Sequence, residues 1–278
     1  IAKIANDNGI NTICDYFSSE TAALIASQEE NLFDVVIARN VIAHTPDPID
    51  MLSGIQKCLS PNGYAYIEYH DAQHIFESFQ YDSIYHEHYS YFHLQSFIYA
   101  AKQVSLNVID VVQSPISGGA SIAVVTRNNK IQPSPALLSK IANDKKLKIM
   151  ELSSWIHFAH RVRLHSQHFH SIVKQLSGDL DVYGYGSSAR SNTLLSFANI
   201  DSSLIKMVVD NNQIKQGHYT PGSKIPIMAT NSLPDDNFAL VLLAWNFSQE
   251  IITSLRQLDY SNVTIIQPLP DEVKIFKL

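Results

Sequence analysis

The chain has 278 residues, a formal net charge of −6 and 45% hydrophobic residues. At typical domain sizes of about 100 to 200 residues, this length predicts roughly two domains with their own cores and excludes a disordered chain or a coiled coil. The acidic balance argues against a nucleic-acid partner. No apolar run reaches the roughly 20 residues of a membrane span, so no membrane partner is expected. Cys14 and Cys58 lack CxxC spacing, which predicts neither a disulfide framework nor a cysteine zinc site and favours a reducing cytoplasm.

The first 130 residues alternate helical and strand patterns, which is typical of a mostly parallel sheet covered by helices. The apolar run 33–38 (FDVVIA) has the length of a strand that is buried on both faces. A helix over 50–59 follows it, with apolar residues on one face. Strands are expected at 11–17, 33–38, 64–69, 107–113 and 121–127.

A polar, proline-bearing segment near residue 130 predicts a boundary. A long helical stretch follows from about 136 to 176, and a second α/β pattern begins at Asp181. These patterns divide the chain into an α/β domain over 1–130, a helical connector over 131–178 and a second α/β domain over 179–278.

The densest group of titratable side chains is the segment Tyr81–Tyr91 (YDSIYHEHYSY), which follows the third predicted strand. Ligands of open α/β sheets bind beyond the carboxyl ends of the strands, so this loop is expected to meet a substrate. His88 with the neighbouring Glu87 suits proton transfer near neutral pH, and Tyr85 suits stabilisation of an oxyanion. A polar surface loop is one alternative. A metal site of His86 and His88, with His70 and His74 nearby, is the other, although the spacing fits no standard zinc pattern.

A second polar segment, Arg39–His44, follows the apolar strand over 33–38 and precedes Pro46-Asp47-Pro48. The pattern is common to many α/β enzymes and carries little information alone. The segment becomes more informative in context, because the strand over 64–69 is expected beside the strand over 33–38. The turn after residue 38 and the histidine-rich loop are then expected to open into the same crevice.

A third segment, GYGSSARSNT over 184–193, lies between a predicted strand and a predicted helix. Its glycines let the backbone approach a phosphate, the helix N-terminus presents N–H groups, and Arg190 adds positive charge. Asp210, at the end of the next strand, suits hydrogen bonds from a ribose. A plain tight turn is the alternative, and the histidines over 157–170 are read as a solvated helix face rather than a metal site.

Taken in order, these segments resemble one known family over nearly the whole chain. The resemblance is to S-adenosylmethionine-dependent C-methyltransferases that act on nucleotide-linked ketosugars. It implies an α/β fold with an incomplete class I methyltransferase (Rossmann-like) domain, and a C-terminal Rossmann-like α/β domain that holds the nucleotide diphosphate. The runs that carry it are FDVVIARNVIAHTPDP, GIQKCLSPNGYAYIE, FQYDSIYHEHYSYF, GYGSSARSNTLLSF and VVDNNQIKQGHYTPGSKIPI, with LLAWNF near the end.

The resemblance also implies roles for individual residues. His88 would be the general base, with Glu87 and Tyr85 beside it, and S-adenosylmethionine would be the cofactor. Removal of an acidic hydrogen beside the ketone gives an enolate whose carbon attacks the sulfonium methyl, which needs alignment and no metal. Asn40 would lie near the methionine part of the cofactor, and Asp15 with Tyr16 near its adenine. The phosphates of the sugar nucleotide would be bound by Gly184, Gly186, Ser187, Arg190, Asn192 and Thr193.

Two departures from the family pattern bear on function. Residues 117–122 (SGGASI) stand where family members tend to read HGGSLR, so a His and an Arg that touch the substrate are missing. The family's cysteine-rich zinc module and glycine-rich cofactor loop are also absent, so these residues are expected to be part of a longer protein or a decayed copy.

Two alternative functions stay open. The first is a non-catalytic protein that binds a nucleotide sugar, and the second, ranked last, is a nicotinamide-dependent sugar-nucleotide oxidoreductase. The sequence makes no prediction of the oligomeric state.

Overall fold

The computed structural model describes residues 1–115 and 118–278, which form two compact units. The first unit comprises Ile1–Ala72 and Glu87–Leu147, and the second comprises Gln73–His86 and Lys148–Leu278. In the described part of the chain, no helix is long and apolar enough to cross a membrane.

The first unit contains a four-stranded sheet. Its strands are β1 (Phe33–Arg39), β2 (Leu59–Tyr69), β3 (Asn107–Ser114) and β4 (Ala120–Thr126), arranged in the order β1-β2-β4-β3. β1 and β2 are parallel, whereas β4 runs antiparallel to both of its neighbours. The carboxyl ends of β1 and β2 therefore lie side by side.

The helices of the first unit bury apolar side chains against this sheet. In α3, for example, Asp47 caps the first turn by accepting a hydrogen bond from the Asp50 N–H, and Leu52 and Ile55 are buried. The helices are α1 (Ala2–Asp7), α2 (Ser19–Gln28), α3 (Pro48–Cys58), α5 (Leu94–Gln103) and α6 (Pro135–Lys146), while α4 (Ala72–Glu77) begins where the chain passes into the second unit.

Three expectations for the first unit are wrong. Its sheet is mixed and not mostly parallel, because β4 pairs antiparallel with both β2 and β3. Residues 11–17 form an irregular, largely exposed segment instead of a strand, because no strand of the described chain pairs with them. β1 is not buried on both faces, since Val35 and Ile37 are exposed and only Ala38 is buried. Within the described residues, β1 has a neighbouring strand on one side only.

The second unit contains a six-stranded sheet with the order β7-β6-β5-β8-β9-β10. Five strands are parallel and β10 is antiparallel. This is the strand order of doubly wound dinucleotide-binding folds, in which the order reverses between the first and fourth strands. It confirms the predicted Rossmann-like C-terminal domain. The elements are α7 (Leu152–Leu176), β5 (Val182–Tyr185), α8 (Ala189–Phe197), β6 (Val208–Val209), β7 (Ile227–Met228), β8 (Phe238–Leu242), α9 (Ser248–Gln257), β9 (Val263–Gln267) and β10 (Lys274–Lys277).

The long helix predicted over 136–176 is two helices, α6 and α7, separated by a turn in which Lys148 has φ of 51°. α6 buries Leu137 in the first core, whereas α7 buries Phe158 and Phe169 in the second. The division into two units therefore falls near residue 147, whereas the sequence predicts boundaries at residues 130 and 178.

Candidate functional site

Three histidines, named here the histidine cluster, lie together at the carboxyl ends of β1 and β2. His44 belongs to a short 3₁₀ turn after β1, and His70 follows β2 directly. The ring centroid of His88 lies 4.7 Å from that of His44, edge to face, and 6.2 Å from that of His70. The turn after β1 and the loop that carries His88 are therefore neighbours, as the sequence predicts.

Backbone contacts attach the His88 loop to the turn after β1. The Tyr89 N–H donates to the Ala43 carbonyl oxygen at 2.8 Å, and His44 Nδ1 lies 3.0 Å from the Glu87 carbonyl oxygen. A carbonyl oxygen only accepts hydrogen bonds, so Nδ1 of His44 carries the hydrogen and Nε2 of the neutral ring holds a lone pair. His44 is thus a second candidate base.

Sequence reasoning included His44 only as the end of a polar segment. Its position in the first turn after a parallel strand was the available signal, because ligand groups concentrate at that edge of a sheet. Glu87 contacts His44 through its backbone, and its side chain is exposed. Tyr85 is half-buried and belongs to the second unit, whereas Glu87 and His88 belong to the first.

A buried network of charged side chains supports the carboxyl end of β2. Asp71 accepts a hydrogen bond from Ser121 at 2.6 Å and lies 3.1 Å from the Lys140 ammonium. Lys140 also lies 3.7 Å from Asp144, which in turn lies 3.4 Å from His93 Nε2. Burial raises the pKa of Asp144 and lowers the pKa of His93. The network joins β2, α5 and α6, and sequence reasoning did not identify it.

The residues assigned to the cofactor lie on two segments of the first unit. Asn40 directly follows β1 in the left-handed backbone region, with φ of 51°. Asp15 accepts a hydrogen bond from the Tyr16 N–H at 2.8 Å, and the Tyr16 side chain is 91% exposed. Chemically, an exposed aromatic ring offers a face for stacking, a carboxylate accepts hydrogen bonds, and an amide side chain both donates and accepts them.

In the second unit, the glycine-rich turn lines a cavity of about 390 Å³, named here the glycine-turn cavity. Gly186 has φ of 94°, and an added Cβ would lie 2.5 Å from the Ala244 Cβ, so this position requires glycine. Ser187 and Asp210 also line the cavity. It lies at the carboxyl ends of β5 and β8, where the strand order reverses and doubly wound folds bind ligands.

Several polar groups at this turn bind other protein groups. The Ser187 N–H donates to Asp210 Oδ2 at 2.8 Å, and Lys215 Nζ lies 3.2 Å from the same oxygen. Ser188 caps α8 by accepting the Ser191 N–H. Asp210, which was expected to face a ribose, thus holds the loop after β6 against the glycine-rich turn.

Arg190 forms an ion pair with Asp82, a residue that the sequence analysis left without a role. Nε and Nη2 of Arg190 each donate to an Asp82 carboxylate oxygen at 2.9 Å. The Trp245 Nε1–H donates to the same carboxylate at 2.8 Å, and the guanidinium lies 4.9 Å from the Trp245 ring centroid. Asp82 is completely buried, so this pairing satisfies its charge within the second unit.

The six residues predicted to bind the sugar nucleotide therefore occupy different environments. Gly186 and Ser187 line the glycine-turn cavity, and Gly184 packs inside β5, where an added Cβ would lie 2.7 Å from Leu243. Thr193 lines a separate cavity on α8, described below, and Asn192 is half-buried.

Metal binding was an alternative reading of the histidines. In residues 1–115 and 118–278, no three His, Cys, Asp or Glu side chains are arranged to hold a metal ion. On α7, His165 Nε2 lies 2.9 Å from the Pro268 carbonyl oxygen and therefore donates a hydrogen bond to it, so Nδ1 accepts a hydrogen bond from the Tyr81 hydroxyl at 3.0 Å.

The SGGASI run, which departs from the family pattern, begins at Ser117, and this residue lies outside the described residues.

Comparison with known proteins gives matches along most of the chain. Residues 115–270 match the family model described as the C-methyltransferase C-terminal domain, and residues 5–111 match the one described as a methyltransferase domain. The C-methyltransferase NovU from Streptomyces niveus is 30% identical over 279 aligned positions, which cover 98% of this chain and 65% of NovU. The chain thus spans slightly less than two thirds of that relative's length. These matches confirm the resemblance to C-methyltransferases and the predicted methyltransferase fold.

Proposed function

The chain belongs to the C-methyltransferase family, and on this premise we propose that it acts in the S-adenosylmethionine-dependent C-methylation of a nucleotide diphosphate-linked deoxy-ketosugar. The observation that carries the mechanism is the contact between His44 and His88 at the carboxyl ends of β1 and β2. It places two imidazole rings at the edge of the sheet where α/β enzymes perform their chemistry.

In the proposed reaction, His88 removes a proton from the carbon beside the substrate ketone. The electron pair of that C–H bond forms an enolate, and the Tyr85 hydroxyl donates a hydrogen bond to its oxygen. The hydrogen bond to the Glu87 carbonyl oxygen directs the lone pair of His44 to Nε2.

S-adenosylmethionine, when bound, supplies an electrophilic methyl group to the nucleophilic carbon. Asn40 would hold its methionine part, while Asp15 and Tyr16 would contact its adenosine. The exposed Tyr16 ring and the Asp15 carboxylate suit stacking and ribose recognition, respectively.

Proton removal is tested separately from methyl transfer by hydrogen exchange. The complete gene product containing these residues is incubated in D₂O with a thymidine diphosphate-linked keto-deoxysugar, and deuterium uptake beside the ketone is followed by NMR. His88→Ala is expected to slow uptake by about 10² to 10⁴, the usual contribution of a positioned base. His157→Ala, an exposed histidine on α7, is the matched control.

The outcomes separate the proposed enzyme from its alternatives. Equal uptake by His88→Ala and the unaltered protein would remove His88 from the role of base. Nucleotide-sugar binding without deuterium uptake or methyl transfer would favour the non-catalytic binding protein. Hydride transfer to or from a nicotinamide would favour the oxidoreductase. The match of residues 115–270 to the C-methyltransferase C-terminal domain argues against that alternative.

A further inference from the structure

A second cavity in the second unit, of about 350 Å³, lies between α7, α8 and the segment that contains Tyr81. It is named here the aromatic cavity, because four aromatic side chains line it. The remaining lining residues are aliphatic apart from Arg163 and Thr193. The aromatic lining consists of Tyr81, Trp155, Phe158 and Phe197.

The polar atoms of these aromatic residues bind within the protein. The Trp155 Nε1–H donates to the Ile149 carbonyl oxygen at 2.8 Å, and the Tyr81 hydroxyl donates to His165. Trp155 and Phe158 meet edge to face with centroids 5.5 Å apart, and Phe197 lies 5.8 Å from Tyr81. The rings are therefore held in place, and their carbon surfaces line the cavity. Such surfaces favour a flat, aromatic ligand.

Arg163 gives this apolar cavity a positive charge. Its side chain is exposed, and no ion pair within the described residues involves it. The nearby Arg190 instead is paired with Asp82. The glycine-turn cavity is different, because its charged lining residues are Asp210, which is paired with Lys215, and the exposed Glu250. A diphosphate is attracted to the Arg163 guanidinium and repelled by the Glu250 carboxylate.

We propose that the aromatic cavity binds the nucleobase of the nucleotide-linked substrate, with Arg163 facing the diphosphate. This inference rests on the proposed function and names the part of the chain that recognises the nucleotide. The cavity lies near the lower end of the usual range of small-molecule sites, roughly 300 to 1,000 Å³. Its size suits the base of a nucleotide, whereas the diphosphate and sugar extend outside it.

The test uses two exposed phenylalanines, one in each cavity of the second unit. Phe197 lines the aromatic cavity and is 46% exposed, and Phe247 lines the glycine-turn cavity and is 53% exposed. Binding of thymidine diphosphate and of uridine diphosphate is measured by calorimetry. Phe197→Ala is expected to weaken binding by a factor of about 5 to 150, the usual effect of losing one base–aromatic stack. Phe247→Ala is expected to leave it unchanged.

A second pair of variants tests the charge. Arg163→Gln is expected to weaken thymidine diphosphate binding roughly threefold to tenfold while leaving thymidine binding unchanged. Arg161→Gln is the matched control, because Arg161 lies on the same helix but over the Phe79 ring, outside this cavity. Inorganic pyrophosphate, which has no base, is expected to bind much more weakly than thymidine diphosphate.

Tryptophan emission gives a readout that does not depend on stability. Thymidine diphosphate is expected to quench part of the emission, and Trp155→Phe is expected to abolish this change while retaining an aromatic ring for the base. Phe197→Leu keeps an apolar side chain and serves if Phe197→Ala does not fold.

The results distinguish this inference from the proposed function. If neither nucleoside diphosphate binds the unaltered protein, both the inference and the nucleotide-linked substrate are wrong. If nucleotides bind but Phe247→Ala weakens binding and both Phe197 variants do not, only the inference is wrong. The base would then lie in the glycine-turn cavity. Pyrophosphate binding as tight as that of thymidine diphosphate would also overturn the inference.

Discussion

The histidine cluster of the first unit and the glycine-rich turn of the second both follow parallel strands, yet their polar side chains are used differently. In the histidine cluster, two imidazole rings contact each other, and the fixed hydrogen of His44 leaves a lone pair on Nε2. At the glycine-rich turn, Ser187 and Asp210 bind each other, and Arg190 binds Asp82. A strand-end motif therefore predicts where polar residues lie but does not predict whether they bind a ligand or the protein itself.

The largest expected effect tests the structural role of Arg190. Asp82→Ala removes the fully buried carboxylate that pairs with Arg190. Breaking a buried pair typically costs about 3 to 5 kcal/mol, and the lower value is expected here because the Arg190 side chain is 15% exposed. The free energy of unfolding, measured in urea, tests this. Asp181→Ala, which breaks the exposed pair with Lys206, is the control and should cost less than about 1 kcal/mol. Equal effects would show that the Asp82 pair does not stabilise the second unit.

The next effect concerns the backbone of the glycine-rich turn. Gly186→Ala is expected to destabilise the second unit by about 1 to 3 kcal/mol, because its positive φ is strained for alanine and the new Cβ meets Ala244. Gly217→Ala is the matched control, since Gly217 also has a positive φ, of 80°, but nothing lies within 4 Å of its added Cβ. Thermal unfolding compares the two. If both variants lose the same stability, the close approach to Ala244 is unimportant.

A smaller effect is expected at the histidine cluster. His44→Asn keeps a donor for the Glu87 carbonyl oxygen but removes the Nε2 lone pair. We expect deuterium uptake by the substrate to fall by about tenfold to a hundredfold, less than for His88→Ala, while nucleotide binding is retained. His74→Asn, a half-buried histidine of the second unit, is the control. Unchanged exchange in His44→Asn would confine the base chemistry to His88.

The smallest effect is the dependence of stability on pH. Burial lowers the pKa of His93 in the folded state, so below its ordinary pKa of 6.5 the unfolded chain binds a proton that the folded chain does not. Stability is therefore lost as the pH falls below about 6.5, with a slope of at most about 1.4 kcal/mol per pH unit for this group. The half-buried His165, whose pKa is also lowered by burial, acts in the same direction in the second unit.

Asp144 acts in the opposite direction over a lower range. Its pKa is raised by burial, so the stability that it contributes is present below its ordinary pKa of 3.8 and is lost as the pH rises through the raised value.

Urea unfolding between pH 4.5 and pH 8 tests the effect of His93 on stability. We expect His93→Gln to reduce the slope of stability against pH, and the exposed His157→Gln to leave that slope unchanged. A slope unaffected by His93→Gln would contradict the assignment.

The sequence by itself determined the alternating α/β pattern of both halves of the chain, the parallel Rossmann-like sheet of the second unit and the family, whereas the sheet of the first unit is mixed and not mostly parallel. Apolar runs, capping residues and turns act over a few residues, so strands such as β5 and helices such as α8 follow from local pattern. The family motifs are equally local. Residues 11–17 show the limit of this reasoning, because a strand forms only beside a partner that lies elsewhere in the chain.

Only the tertiary structure decided which polar residues act together. His44 contacts the loop of His88, 43 positions from Glu87, and Arg190 meets Asp82 across 108 positions. Helix packing likewise placed Thr193, on α8, in the aromatic cavity, although the glycine-rich turn that directly precedes α8 lines the other cavity. Hydrogen bonds and ion pairs depend on distances of about 3 Å, and packing alone sets such distances between residues that are far apart in the sequence.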